Sequence, residues 1–356
     1  MKTRLPLLAL AAIALCAGAG PAAAADTCSV TVWAPAGLAS RHERPEGPGL
    51  VLSGAGLDGM PYDEVLAWMR RRLGPGSHRA GNLLVLQASS GNDYTDLFYR
   101  ASRFASVREV LVPPCAPRSA VDAAAPYVDA ADAVLFEGGD QANYVKWKGS
   151  ALVAAVQRVY ARGGFVGGGS AGLAIQGAVV YDAVAADKVL PDDVNLDSKM
   201  ATRDPYGPAV SLTTGFLAWP PLAGTITDTH FERRNRFGRL AAFMARALHD
   251  GLVPGSRVYG LGVDEGSVLV VNGAGVATLL ERSGYGVDYK THGAWLLSGG
   301  PAERIAKGKP LLYTVEVTHI SRVGGSYDLI HHKGAGERYT VTVDGSKPGL
   351  YSRNPY

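Results

Sequence analysis

Cysteine is scarce in this chain. Three occur in 356 residues, and no two form a C-x-x-C pair, which removes the usual zinc and redox readings. Charge is low as well, at 19% against 47% hydrophobic residues, and that balance excludes a disordered or a collagen-like chain. No excess of one sign is present. The 35 basic and 32 acidic residues leave +3, or +1 once Lys2 and Arg4 of the N-terminal stretch are set aside, too little for a nucleic-acid surface. Past the first 25 residues no apolar run reaches the roughly 20 residues that a bilayer requires. Internal repeats and low-complexity linkers are missing too.

What is present starts at the N-terminus. Residues 1–25 run from Lys2 and Arg4 through an apolar stretch at 5–17 to Ala22-Ala23-Ala24-Ala25, the order of a secretory signal peptide cleaved before Asp26. The apolar stretch is too short for an anchor, and Leu15 is too bulky for a lipid attachment at Cys16. An exported chain, periplasmic or secreted, is expected. Cleavage leaves Cys28 and Cys115, and two thiols in an oxidising compartment are expected to pair.

Further along, short apolar runs alternate with helical stretches. Strands are expected at 49–53, 82–87, 109–112, 133–137 and 164–167, and helices at 62–73, 93–106 and, as one long element, 143–162. Such alternation predicts a mostly parallel central sheet with helices on both faces, an α/β sandwich. From about residue 251 strands follow one another almost without helix, at 258–264, 268–271, 276–280, 294–297, 311–320 and 339–343. The organisation expected is a signal peptide at 1–25, an α/β domain at 26–298 and a C-terminal β extension at 299–356.

The sharpest chemical signal is Gly168-x-Ser170-x-Gly172 between a strand and a helix, the form of a nucleophile elbow. The helix start at Ala171 and the glycine turn at Gly138 and Gly139 are candidates to supply N–H groups to an oxyanion, and Gln141 an amide to a substrate. A serine nucleophile needs a base. His230 stands out among eight histidines because it ends a strand-like run, where sites are built in α/β folds. Arg233, Arg234, Arg236 and Arg239 follow it and suggest an anion pocket, with a solvated helix face as the plainer alternative. Glu265, also at a strand end, is the candidate to orient the histidine, with Asp264 beside it. Two G-x-G-x-x-G patterns occur, at Gly54 and Gly167. The strand after the first ends Gln87-Ala88-Ser89-Ser90 without the acid a dinucleotide site needs, so both are read as backbone turns, the first a simple connector.

Taken together, Gly-Gly-Asp-Gln at 138–141, Gly-Gly-Ser-Ala-Gly at 168–172, Asp-x-His-Phe at 228–231, the spaced Arg234, Arg236 and Arg239, and Gly-x-Asp-Glu at 262–265 resemble the cyanophycinase branch of peptidase family S51. The order holds over roughly 50–273. The resemblance implies a class I glutamine amidotransferase-like, flavodoxin-type sandwich and a serine exopeptidase that cuts next to aspartyl residues. It implies Ser170 as nucleophile, His230 as base and Glu265 as orienting acid, with Gln141, Asp228, Arg234, Arg236 and Arg239 lining the substrate pocket. In the dipeptidase branch the acid follows soon after the serine, which keeps Asp182 as a competitor. The chain departs from the cyanophycinase pattern at Thr229, where Gln is usual, and at Gly169, where Thr is usual.

The function expected is therefore hydrolysis of a peptide or poly-aspartyl substrate through an acyl-enzyme on Ser170, without metal or organic cofactor. A non-catalytic binding protein and a serine esterase are the alternatives. The oligomeric state is left open, a homodimer included.

Overall fold

A computed structural model describes residues 28–34, 46–73, 81–89, 94–102, 104–192, 194–281 and 292–356; the expected signal peptide at 1–25 lies outside them. In chain order the strands are β1 (Thr31–Trp33), β2 (Gly49–Ser53), β3 (Asn82–Gln87), β4 (Ser106–Leu111), β5 (Ala133–Phe136), β6 (Phe165–Gly169), β7 (Val179–Tyr181), β8 (Leu212–Thr214) and β9 (Thr225–Asp228). Then come β10 (Val258–Val263), β11 (Ser267–Val271), β12 (Val276–Glu281), β13 (Ala294–Gly299), β14 (Leu312–Ile320), β15 (Ser326–Asp328), β16 (Lys333–Gly334) and β17 (Glu337–Asp344).

They form two sheets. The larger runs β1-β4-β3-β5-β6-β2-β11-β12-β15-β16, and its five strands from β4 to β2 are mutually parallel. Strands β2, β3, β5 and β6 are buried at every position, because helices or sheet cover both faces; that is why their sequences read as unbroken apolar runs. Leu83, Val85 and Leu135 face the helices Tyr62–Leu73 and Thr95–Ser102, while Leu84, Leu86 and Val134 face the helix Ala151–Ala161.

The smaller sheet runs β17-β14-β13-β10-β9-β7-β8. One of its faces contributes Val180, Leu261 and Leu296 to the core shared with the larger sheet, and the other packs Ile226, Trp295 and Val315 with the helix Phe237–His249. Two sheets thus stand where one central sheet was expected. Of the strands in the expected extension, β14 and β17 continue this second sheet outward from β13, whereas β15 and β16 extend the larger sheet beyond β12.

Two further differences have local causes. Numbered along the chain, the five parallel strands lie in the order 3-2-4-5-1, not the flavodoxin order 2-1-3-4-5, because β2 lies beside β6 and hands on to antiparallel β11. The helix expected at 143–162 is two helices, Gln141–Val145 and Ala151–Ala161. Gly149 takes a φ of 72° between them and Ser150 caps the second through Val153 N–H at 3.1 Å. Cys28 and Cys115 are joined as a disulfide, with Cα atoms 5.2 Å apart, fastening the segment before β1 to the turn after β4. No helix among the described residues is long and apolar enough to cross a membrane.

Candidate active site

The serine stands where β6 ends. Ser170 takes φ 51° and ψ −117° before the helix Ala171–Ala174, a strained turn of the kind that persists only when the surroundings impose it. The surroundings here are very close. A Cβ on Gly172 would lie 2.3 Å from the Phe136 carbonyl oxygen, and one on Gly169 2.3 Å from that of Ala55, so neither position admits a larger residue.

The histidine comes from the other sheet. His230 follows β9 with φ 45°, and its N–H donates to the Gly54 carbonyl at 2.9 Å. The glycine turn after β2, expected to be a mere connector, therefore holds the histidine's backbone. Glu265 lies where the chain leaves β10 of the smaller sheet for β11 of the larger. The three side chains meet at this seam: Ser170 Oγ is 2.8 Å from His230 Nε2, and His230 Nδ1 is 2.5 Å from Glu265 Oε1. A carboxylate can only accept, so Nδ1 carries the proton and Nε2 turns its lone pair to the serine hydroxyl. Burial pulls the imidazole below its usual 6.5, opposed by the Glu265 bond and assisted by Arg234 and Arg236. The ring is thus a neutral base at pH 7.

The competing acids serve elsewhere. Asp182 accepts from Ser211 Oγ, from Thr213 Oγ1 at 2.6 Å and from Val184 N–H at 3.0 Å, which ties β7 to β8 and the loop beyond. Asp264, fully buried, accepts from Arg233 N–H at 3.2 Å and so braces the turn after the histidine.

That turn sorts the arginines. Arg233 and Arg234 are exposed, whereas Arg236 and Arg239 are buried at 6% and 3% exposure, so the solvated-face alternative holds for one pair only. Arg239 grips Asp228 through Nε at 2.8 Å and Nη2 at 2.5 Å. Asp228 is thereby committed to the protein and does not line the pocket as expected: with Thr229 N–H at 2.8 Å as a further donor, its carboxyl is held below the usual range against the opposing effect of burial. Arg236 bonds Thr229 through its carbonyl at 3.0 Å and its Oγ1 at 2.9 Å, but stands 3.6 Å from Asp228. Burial, and next Arg239, push Arg236 down to about 9 against the opposing effect of Asp228, so it stays charged at pH 7 beside a carboxylate that Arg239 already grips.

Arg236 and Arg239 floor a cleft of about 440 Å³ that also takes in Gly139, Gln141 and Tyr181, with exposed Asp187 and Asp192 and half-exposed Asp140 among its walls. Asp187 is pushed up to about 6 by burial and by Asp140. The Gly139 end adjoins the serine, since a Cβ on neighbouring Gly138 would lie 3.4 Å from that of Ser170. Among the described residues no backbone acceptor takes the N–H of Gly139 or Ala171, which leaves both available to an oxyanion. Gln141 lines the cleft and donates to the Tyr181 carbonyl at 3.4 Å.

No protein-family model matches the chain, and no curated protein sequence matches it. Among solved structures, a crystal structure of a peptidase from an acI-B1 Actinobacterium is similar at 15% identity and a TM-score of 0.46, covering 80% of this chain and 98% of that one.

Sequence reasoning missed two participants. Thr229 was noted only as a departure, yet its hydroxyl and carbonyl aim Arg236. Glu137, ahead of the glycine turn, is pushed up to about 7 chiefly by burial, with Asp58 adding to it, and Gly56 lies against both carboxyls. A carboxylate between an apolar strand and a Gly-Gly turn was the available signal. Among the described residues no group of three or more His, Cys, Asp or Glu is arranged to hold a metal.

Proposed function

We propose that the chain is an exported serine-type exopeptidase of the cyanophycinase kind, acting on peptide or isopeptide bonds beside aspartyl residues. The observation that carries this reading is the continuous hydrogen-bonded line from Ser170 through His230 to Glu265. His230 takes the Ser170 proton as Oγ attacks the carbonyl, and the tetrahedral oxyanion turns toward the N–H groups of Ala171 and Gly139. His230 then returns the proton to the leaving amine, the C–N bond breaks, and water repeats the sequence on the acyl-enzyme. Glu265 keeps the imidazole in the tautomer that both steps need.

The cleft supports the substrate class. A buried guanidinium whose neighbouring carboxylate, Asp228, is already gripped by Arg239 suits an aspartyl carboxylate, which it engages as a forked donor. The exposed carboxylates of Asp187 and Asp192 favour a basic group on the same substrate, as in an aspartyl–arginine linkage. Asp228 and Arg239 form the support beneath the pocket.

A fluorophosphonate probe gives the primary test. The wild-type protein should label at neutral pH and Ser170→Ala should not. A wild type that stays unlabelled would favour a non-catalytic binding protein. Labelling combined with turnover of p-nitrophenyl esters but not of β-aspartyl peptides would favour an esterase.

A further inference from the structure

The helix Phe237–His249 lacks a cap of its own. Its N-cap residue is Arg236, which makes no side-chain cap bond, and the first N–H groups of a helix have no partner within it. Ser, Thr, Asp or Asn normally accept from them, whereas a guanidinium has only donors to offer. Here the acceptors arrive from distant parts of the chain. Phe237 N–H donates to Tyr356 Oη at 2.9 Å, Gly238 N–H to Tyr351 Oη at 3.2 Å and Arg239 N–H to Ser198 Oγ at 3.1 Å.

The same three hydroxyls donate onward to one residue. Tyr351 and Tyr356 donate to Asn235 Oδ1 at 3.2 and 3.1 Å, and Ser198 to the Asn235 carbonyl at 2.5 Å. Asn235 has a φ of 47°, a conformation that Asn accepts more readily than most residues. Close approach also matters, because a Cβ on Gly238 would lie 2.8 Å from Ser198 Cβ and 3.1 Å from Tyr351 Oη. The segment bearing the two tyrosines is fixed to β17 by Ser352 N–H on the Thr342 carbonyl at 3.0 Å and by Tyr339 Oη on the Pro355 carbonyl at 2.8 Å. Tyr356 packs edge-on against Phe231, Phe237 and Trp295, and Phe231 directly follows His230.

We infer that Tyr351 and Tyr356 are positioning residues for the anion pocket: they cap this helix from outside and so free position 236 to carry an arginine into the cleft. A Ser or Asp at that position would cap the helix better and leave the pocket without its guanidinium. With the phenols in place, the turn 231–236 is closed at both ends, by Asp264 on Arg233 N–H and by the two tyrosines around Asn235. Arg236 then reaches Thr229 from a fixed backbone. The inference rests on the proposed function for the nature of the ligand, not for the capping itself.

The test uses Tyr351→Phe with Tyr356→Phe, which keeps both rings and removes both hydroxyls, in a Ser170→Ala background that does not consume ligand. Amide exchange at Phe237 and Gly238 should quicken by roughly tenfold or more while the β6 amides hold. The Kd for β-aspartyl-arginine should rise by roughly fivefold or more. In the enzyme that retains Ser170, KM for a β-aspartyl-arginine polymer should rise by a larger factor than kcat falls. Unchanged exchange would overturn the capping, and faster exchange with unchanged Kd would overturn the positioning of Arg236. If the Ser170→Ala protein with both tyrosines intact does not bind the dipeptide, the functional reading has failed and the positioning role falls with it.

Discussion

At Glu265 a single carboxylate decides which proton His230 carries. Glu265→Gln should preserve the fold and lower kcat by roughly 10²- to 10⁴-fold, the usual result of losing the group that orients an imidazole. Asp182→Asn should be mild for kcat, because its bonds go to Ser211, Thr213 and Val184. A crippling Asp182→Asn beside a neutral Glu265→Gln would reverse the assignment. The pH profile follows the same ring. His230 must be neutral to act, and its proton affinity lies below the usual 6.5, so the acid limb of kcat/KM should fall below pH 6.5. Glu137 titrates near 7 but does not contact the line of proton transfer; an acid limb near 7 that disappears in Glu137→Gln would shift the essential group from His230 to Glu137. Serine and histidine were legible in the sequence, and Glu265 as one of several candidate acids, because a nucleophile elbow and strand-end residues have local signatures. The choice between Glu265 and Asp182 was not legible, since it depends on where two sheets meet.

At the scale of the element, the helix Phe237–His249 and the turn before it convert a run of arginines into a floor of fixed charge. Arg239 is fully desolvated and has Asp228 as its only close carboxylate among the described residues. Asp228→Asn should therefore cost about 3–5 kcal/mol, the penalty for leaving a buried charge unpaired, and be read as a large drop in the urea midpoint with an unchanged m-value. An Arg236→Lys protein should fold normally, because this side chain bonds neutral Thr229 more closely than Asp228. Its kcat/KM on aspartyl substrates should fall by roughly tenfold or more, as expected when a forked charge-assisted bond becomes a single one, and by much less on a small activated ester. Equal loss on both would mean that Arg236 supports the fold alone. The helix at 62–73 and the strands at 49–53 and 82–87 were read to the residue, since apolar runs and period are local. By contrast, β4 begins three residues before the expected 109, and the short strands β1, β7, β8, β15 and β16 were not expected. The break at Gly149 and Ser150 has a local signal in Gly-Ser, but the apolar period on either side outweighs it. The capping of the last helix was not legible at all, because its acceptors lie 41, 113 and 119 residues away.

At the scale of the molecule, the site lies at the junction of two sheets and the disulfide at one edge of the larger. The order β1-β4-β3-β5-β6 puts four strand spacings between β1 and the strand that presents Ser170, about 19 Å at the usual separation. Strand β1 is only three residues long and, among the described residues, pairs with β4 alone. A two-stranded attachment of that length is weak by itself, and the bond from Cys28 to Cys115 closes a separation of 87 residues. On the chain-entropy account such a closure contributes about 4 kcal/mol, enough to move Tm by several degrees in a chain of this size, at roughly 2–4 °C per kcal/mol. Purified from an oxidising compartment without reductant, the unfolded protein should titrate no free thiol. The double variant Cys28→Ser with Cys115→Ser should melt earlier yet retain kcat/KM at 25 °C, because the contacts that set Ser170, His230 and Glu265 run through β2, β6, β9 and β10 and none through β1. Two reactive thiols in the unreduced, unfolded chain would exclude the bond. Loss of activity in the still-folded double variant would mean that the edge and the seam are mechanically coupled, against the separation that the strand order gives.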